Sequence, residues 1–361
     1  MIGFNTKTLT LTALLAGTML GLGACQQQGT TPSDTAGGDD TEASTELPGE
    51  GQTVQSAHST LLEEKFQTLI VDTAMEELGY EVEDPQEIEY ATMHVAIANN
   101  DIQYSPVHWE KLHSDFYEES GGDEELERVG LVVPNLLQGY LIDKATADEY
   151  DITTLDQLQD PEIAALFDSD GNGQANLTGC NPGWGCELVI EHHLDVYDLS
   201  ETVEHDQGQY SALVADTITR YEQGEPILYY TWTPLWVSNV LKPGEDVVWL
   251  EVPETNLPEE QGEMSAEDTT YEGKNLGFAV DQMRVVANQE FIDENPAAER
   301  LFEEVQIPRE DISAQNQLMQ DGEDSVEDIE RHVEEWISEN QEEFDSWIEA
   351  AKEAAAQASA E

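Results

Sequence analysis

Basic residues are what this chain lacks. In 361 residues, 13 Lys and Arg stand against 78 Asp and Glu, a formal net charge of −65 at pH 7. Too few cations are present to neutralise phosphates, which excludes nucleic acid as a partner. An anionic membrane surface would repel the protein. Past the first 25 residues no apolar run has the length of a transmembrane helix. There is no internal repeat, no Gly-rich loop of the nucleotide-binding kind, and no nucleophile–base pair or open metal set of the kind catalysis needs. The chain therefore reads as non-enzymatic. Cysteine is scarce too, with three in all.

What is present is enough for a core. The hydrophobic fraction is 39 %, and the length suggests about two domains. The acid surplus makes a folded chain repel itself in dilute buffer. At about 1 M salt the Debye length falls to about 3 Å and most of that repulsion is screened. The charge predicts a protein of a halophile, working in concentrated salt.

Residues 1–25 read as an address. One cation, Lys7, precedes an apolar run from Leu9 to Leu22, which ends in Leu22-Gly23-Ala24-Cys25. The run suits a secretory h-region. The last four residues resemble a lipobox, which makes Cys25 the lipidation site and the anchor the only tie to a membrane. Residues 26–51 are rich in Gln, Gly, Thr, Ser and acids, and read as a disordered tether. The body is thus expected outside the cytoplasm, where Cys180 and Cys186 would oxidise to a disulfide. The loop so closed, Asn181-Pro182-Gly183-Trp184-Gly185, is short, so the staple adds only about 2 kcal/mol. Its larger effect is to hold Trp184 at a rigid tip.

Along the body, residues 52–57 read as a strand. Thr60 and Glu63 have capping-box spacing ahead of a helix with Phe66, Leu69, Ile70, Ala74 and Leu78 on its apolar face, and Gly79 ends it. Strand-like pieces follow at 81–90 and 103–105, with further alternation through 130–140, 216–222 and 227–231. The pattern argues an α/β fold with mixed sheets. Val326, Ile329, Val333, Trp336, Phe344, Trp347 and Ile348 read as the apolar faces of C-terminal helices. Asp168, Asp170, Asn172, Gln174 and Asn176, with Gly173 at the sixth place, match a calcium loop except that Gly179 stands where the bidentate Glu belongs. A structural Ca²⁺ and a metal-free turn both fit this segment. With Ca²⁺, an alternative role is a calcium-dependent surface lipoprotein, structural or adhesive.

Three aromatic segments stand apart: Trp109 with His113 four places on, Trp184 on the stapled loop, and the run Tyr229-Tyr230-Thr231-Trp232-Thr233-Pro234-Leu235-Trp236. If 109–113 is helical, Trp109 and His113 share a face. Aromatic faces attract cations, best of all a quaternary ammonium that can donate no hydrogen bond, at about 0.5–2 kcal/mol per contact. Backbone N–H groups of a tight Gly-rich loop suit an anion. A zwitterion with a methylated ammonium and a carboxylate fits both ends. In brine a neutral aromatic cage also avoids capturing Na⁺ and K⁺.

These stretches, with Leu177–Glu187, Gln138–Lys144, Trp236–Asn239, Leu241–Gly244 and Asn295–Ala298, resemble the periplasmic glycine betaine-binding proteins of proline/glycine betaine ABC importers over about residues 47–350. The resemblance implies a two-lobed, hinged, type II (Venus-flytrap) binding protein, with lobe 1 from 52–138 plus 275–361 and lobe 2 from 139–274. It implies a monomer that delivers glycine betaine, or proline betaine or a related zwitterion, to a permease and its ATPase without a cofactor. It places the trimethylammonium among Trp109, Trp184 and Trp232, and the carboxylate on the amides of Gly185 and Cys186 and on His113. Glu110 and Lys111 depart from the Thr-Pro pair expected between Trp109 and Leu112.

Overall fold

In the computed structural model, residues 47–262 and 264–360 are described. The predicted signal peptide, Cys25 and most of the predicted tether lie outside them. The strands are β1 (Thr53–His58), β2 (Glu81–Glu87), β3 (Tyr104–Trp109), β4 (Leu126–Asp143), β5 (Ala175–Thr178), β6 (Val203–Asp206), β7 (Leu228–Thr233), β8 (Val247–Trp249), β9 (Thr270–Tyr271), β10 (Lys274–Asn275) and β11 (Asp281–Asn288). Nine join in one sheet, ordered β2-β1-β3-β11-β4-β7-β5-β6 with β8 also on β4, while β9 and β10 form a separate ribbon.

The sheet is parallel at its ends and antiparallel in its middle. At one end β1 pairs parallel with β2 and β3, and at the other β5 pairs parallel with β6 and β7. Parallel neighbours need a crossover, and helices Leu62–Glu77 and Gly185–Val196 supply it between β1 and β2 and between β5 and β6. The middle belongs to β4, 18 residues long. It pairs with β11 as far as Leu136, and with β7 from Leu137 onward. The long strand thus belongs to two half-sheets and changes ladder partner at one residue.

Helix Leu62–Glu77 buries Phe66, Ile70 and Ala74, the spacing read from the sequence. Gly79, at φ +93°, ends it. Its N–H bonds Glu76 O at 2.9 Å and the Tyr80 N–H bonds Met75 O at 3.2 Å, which satisfies carbonyls that the helix leaves open. The Thr60–Glu63 capping box does not form, because the helix starts one residue later than that spacing requires. Leu61 is the residue at the helix start and has no side-chain cap, and Ser59 braces the segment ahead of it. Its Oγ accepts from the Leu61 N–H at 3.2 Å, and its own N–H donates to Glu64 Oε2 at 2.9 Å. Residues 47–51, expected in the tether, turn back onto this helix, with the Gly49 N–H on Leu78 O at 2.9 Å.

Strand β2 ends at Glu87, and the helix Tyr90–Ala98 begins where a continuing strand was expected. The C-terminal helices Arg309–Gln320, Val326–Glu339 and Gln341–Ala358 bury Ile329, Val333, Trp336, Phe344, Trp347 and Ile348 as expected. Trp336 and Trp347 stack at 6.0 Å. Val326 instead lies exposed at a helix start. Among the described residues, no helix is long and apolar enough to cross a membrane.

Candidate functional site

Three segments end at one place. Trp109 is the last residue of β3, Trp232 lies one residue before the end of β7, and the stapled loop after β5 runs into helix Gly185–Val196. The carboxyl ends of strands are where open α/β sheets bind ligands. One cavity lies here, and Trp109, His113, Trp184, Gly185, Cys186 and Trp232 all line it. Leu61, Tyr90, Leu112, Gln138 and Tyr230 complete the lining. Tyr230 lay inside the aromatic run that drew attention in the sequence, and Gln138 opened one of the matching stretches. Tyr90, at the start of an unforeseen helix, had no signal.

The indoles are almost wholly buried. Trp184 and Trp232 meet edge to face, with centroids 6.1 Å apart and planes at 68°. Tyr210 packs on Trp232 at 4.5 Å, and Tyr90 on Trp184 at 5.9 Å. Several of the polar groups on these rings are engaged by neighbouring side chains. The Trp184 Nε1–H donates to Glu89 Oε2 at 3.1 Å, the Tyr90 hydroxyl to Glu64 Oε1 at 2.5 Å, and the Tyr230 hydroxyl to Gln138 Oε1 at 2.6 Å. No carboxylate lines the cavity. The lining is uncharged and dominated by aromatic rings, and Trp184 and Tyr90 donate to the carboxylates of Glu89 and Glu64. Burial pushes the Glu64 carboxyl up to about 7.

The opposite polarity comes from the helix start. Gly185 and Cys186 are its first two residues, whose N–H groups have no partner within a helix, and no side chain caps them. Aligned helix dipoles add positive potential there. Cys180 and Cys186 form the disulfide, as predicted. Gly185 is required by close approach, since a Cβ would sit 2.5 Å from the Leu112 carbonyl oxygen. His113 faces the same space. Its Nδ1 accepts from the Trp109 N–H at 3.3 Å, which leaves Nε2 to carry the proton and donate. Burial holds its pKa well below the usual imidazole value, so the ring is neutral at pH 7.

Segment 110–113 is a turn rather than the helix considered from the sequence, closed by the His113 N–H on Trp109 O at 2.9 Å. Its anchor is Asp281, at the start of β11. The carboxylate accepts from the Lys111 N–H at 3.0 Å and the Leu112 N–H at 2.9 Å. Burial pushes this acid up to about 6 even so. Glu110 accepts from Arg284 Nε at 2.7 Å, and Lys111 Nζ lies 3.5 Å from Asp268. The two unexpected residues therefore point outward into ion pairs and leave the Trp109–His113 spacing intact.

The calcium-like loop lies elsewhere, and its oxygens face its own backbone. Asp168 accepts from the Gly171 and Gly173 N–H groups at 2.7 and 2.9 Å, Asp170 from Asn172 N at 3.0 Å, and Asn172 from Gln174 N at 2.8 Å. Asn176 Oδ1 accepts from Ser169 N at 2.8 Å, and Gln174 reaches Ser200 O at 3.3 Å. In this structure these side chains hydrogen-bond chiefly within their own loop.

The family described as the substrate-binding domain of the ABC-type glycine betaine transport system matches residues 52–339. The chain belongs to that family. Its members are binding proteins rather than enzymes. The glycine betaine-binding periplasmic protein OusX of Dickeya dadantii is 52 % identical over 314 residues, 87 % of this chain and 94 % of that one. The glycine betaine/proline betaine-binding periplasmic protein of Escherichia coli is 51 % identical over 306 residues, 85 % and 92 % of the two chains. Among solved structures, a glycine betaine/L-proline-binding protein of Borrelia burgdorferi matches at TM-score 0.66 and 17 % identity, over 84 % of this chain and all of that one. Lactococcal OpuAC, closed on glycine betaine, matches at 0.62 and 17 % identity, over 82 % and 99 %. At such identity these two establish the fold, that of the two-lobed binding proteins of importers.

Proposed function

We propose that this member of the family captures glycine betaine, or a close analogue such as proline betaine, outside the cytoplasm and delivers it to a permease and its ATPase. The trimethylammonium group lies among Trp109, Trp184 and Trp232. The carboxylate accepts from the amides of Gly185 and Cys186 and from His113 Nε2. The observation that carries this reading is that an uncharged aromatic cage and an uncapped helix start, with a neutral His beside it, share one cavity. Neutral walls bind a permanent cation through ring faces and leave the carboxylate to the amides.

In this reading the lobes are 52–138 plus 275–361 and 139–274. They hinge where β4 changes partner, with Trp109 and His113 on one side of the cleft and Trp184 and Trp232 on the other. Closure over the ligand is the motion such folds use. The protein works as a monomer tethered through lipid on Cys25, in strong brine, which screens its acid surplus.

Titration calorimetry against glycine betaine, proline betaine, choline and glycine in molar salt tests the assignment. Heat with the betaines and none with glycine is expected. Trp184→Ala should lose about 1–2 kcal/mol, roughly tenfold or more in affinity. Trp347→Ala, in the distant C-terminal helices, should lower thermal stability and leave affinity unchanged. Equal affinity losses in the two variants would remove Trp184 from the site.

A further inference from the structure

Behind the cavity wall lies a cluster of which betaine capture uses only His113. His94, His108 and His113 are all buried, and a ligand-capable atom from each lies within 4.8 Å of the other two. His94 Nδ1 sits 2.7 Å from the Tyr90 carbonyl oxygen and must therefore carry the proton. Its Nε2 presents a lone pair to His108 Nδ1 at 2.9 Å. A ring N–H held by a backbone carbonyl, with the other nitrogen directed inward, is how metal-bound imidazoles are oriented. His108 Nε2 is buried without a partner. An unpaired acceptor in such a place is a cost that the fold alone does not explain.

From this arrangement we propose a divalent transition-metal site of the zinc class, held by His94, His108 and His113, with its fourth position open. Three imidazoles suit Zn²⁺, Co²⁺, Ni²⁺ or Cu²⁺, and Mg²⁺ and Ca²⁺ prefer oxygen. Zinc–nitrogen bonds of about 2.0–2.1 Å place tetrahedral ligands about 3.4 Å apart. His94 Nε2 and His108 Nδ1 are nearer than that, so the ion replaces their hydrogen bond and parts the two rings, while His113 releases the Trp109 N–H to offer its lone pair. Phe116 packs against both His94 and His113, and Tyr117 against His108, which gives the site an apolar shell. Entry is through the cavity, which His113 lines.

The test is titration of the betaine-free protein with Zn²⁺, and with Co²⁺ followed by its visible absorption, in molar NaCl with excess Mg²⁺ to occupy surface acids. One equivalent should bind, and Co²⁺ should develop the intense bands of a four-coordinate site. His94→Asn and His108→Asn, neither of which lines the cavity, should each weaken Zn²⁺ by at least about tenfold, the scale on which even outer-shell losses act. Both should still bind glycine betaine, which shows that they fold and separates this result from the capture assignment. No stoichiometric binding to the parent protein overturns the site, as does binding that both variants retain. Either outcome would leave the three rings as a hydrogen-bonded packing cluster.

Discussion

The cavity has two walls of different construction. One is local: residues 180–186 turn within seven positions, are stapled by a disulfide, and lead straight into the helix that offers its amides. The other is assembled from a distance. The turn carrying Trp109 and His113 is held by Asp281, about 170 residues later, and Gln261 Nε2 adds a bond to Leu112 O at 2.9 Å. The walls meet where Gly185 faces the Leu112 carbonyl. Covalent closure builds a rigid wall from neighbours in sequence, whereas a buried carboxylate builds one from strands that the fold must first bring together.

The largest effect should come from the distant wall. Asp281→Ala strips acceptors from the Lys111 and Leu112 N–H groups, a loss of about 2–4 kcal/mol in unfolding free energy. Betaine affinity should fall as well, by roughly tenfold, since Trp109 and His113 ride on that turn. Denaturant melts and calorimetry on one preparation read both quantities. Unchanged affinity would mean that the turn holds its shape without Asp281. Reducing the disulfide should do less, about 2 kcal/mol by the loop-closure account. Its signature is weaker binding with little change in the packing around Trp109, followed by indole fluorescence. Affinity that stays the same in reductant would show that the 180–186 turn needs no staple.

The smallest effect is with pH. Burial raises the carboxyls of Glu63, Glu64 and Asp72 to about 7, and stability from that source is lost as pH rises through those values. Burial lowers His94 to about 4 and His193 to about 3, and His58, His108 and His113 in the same direction. Those rings stay neutral while the unfolded chain protonates, so their stability is lost as pH falls below about 6.5. Melting temperature in high salt should therefore peak near about pH 6 and decline on both sides. A steady rise from pH 5 to 8 would contradict the buried-acid half of this argument.

The near wall could be read before any coordinates because its signals are adjacent: two Cys, two Gly, a Pro and a Trp within seven residues. The helix Leu62–Glu77 and the C-terminal apolar faces were legible from spacing alone, since a long amphipathic period survives any context. The far wall was legible only as the pair Trp109 and His113. That Asp281 anchors them is a contact between strands, and no local pattern encodes it. Tyr90 was missed for a related reason: Val82, Ile88 and Tyr90 fall on alternate positions and read as one strand, and the switch to helix after Glu87 carries no Gly or Pro to mark it. Leu61 rather than Thr60 stands at the start of that helix because boundaries move easily by a residue. The calcium-like spacing stays two-sided, since Asx turns and metal loops draw on the same residues.

One consequence follows from the uninterrupted run of β4. β4 runs unbroken through both half-sheets, so the backbone there couples one ladder directly to the other. In the proposed role, a solute held between the walls would add to the ties that Gln261–Leu112 and Trp184–Glu89 already make across the cleft, so an occupied protein would be stiffer than an empty one, a difference a docking partner could sense without touching the solute.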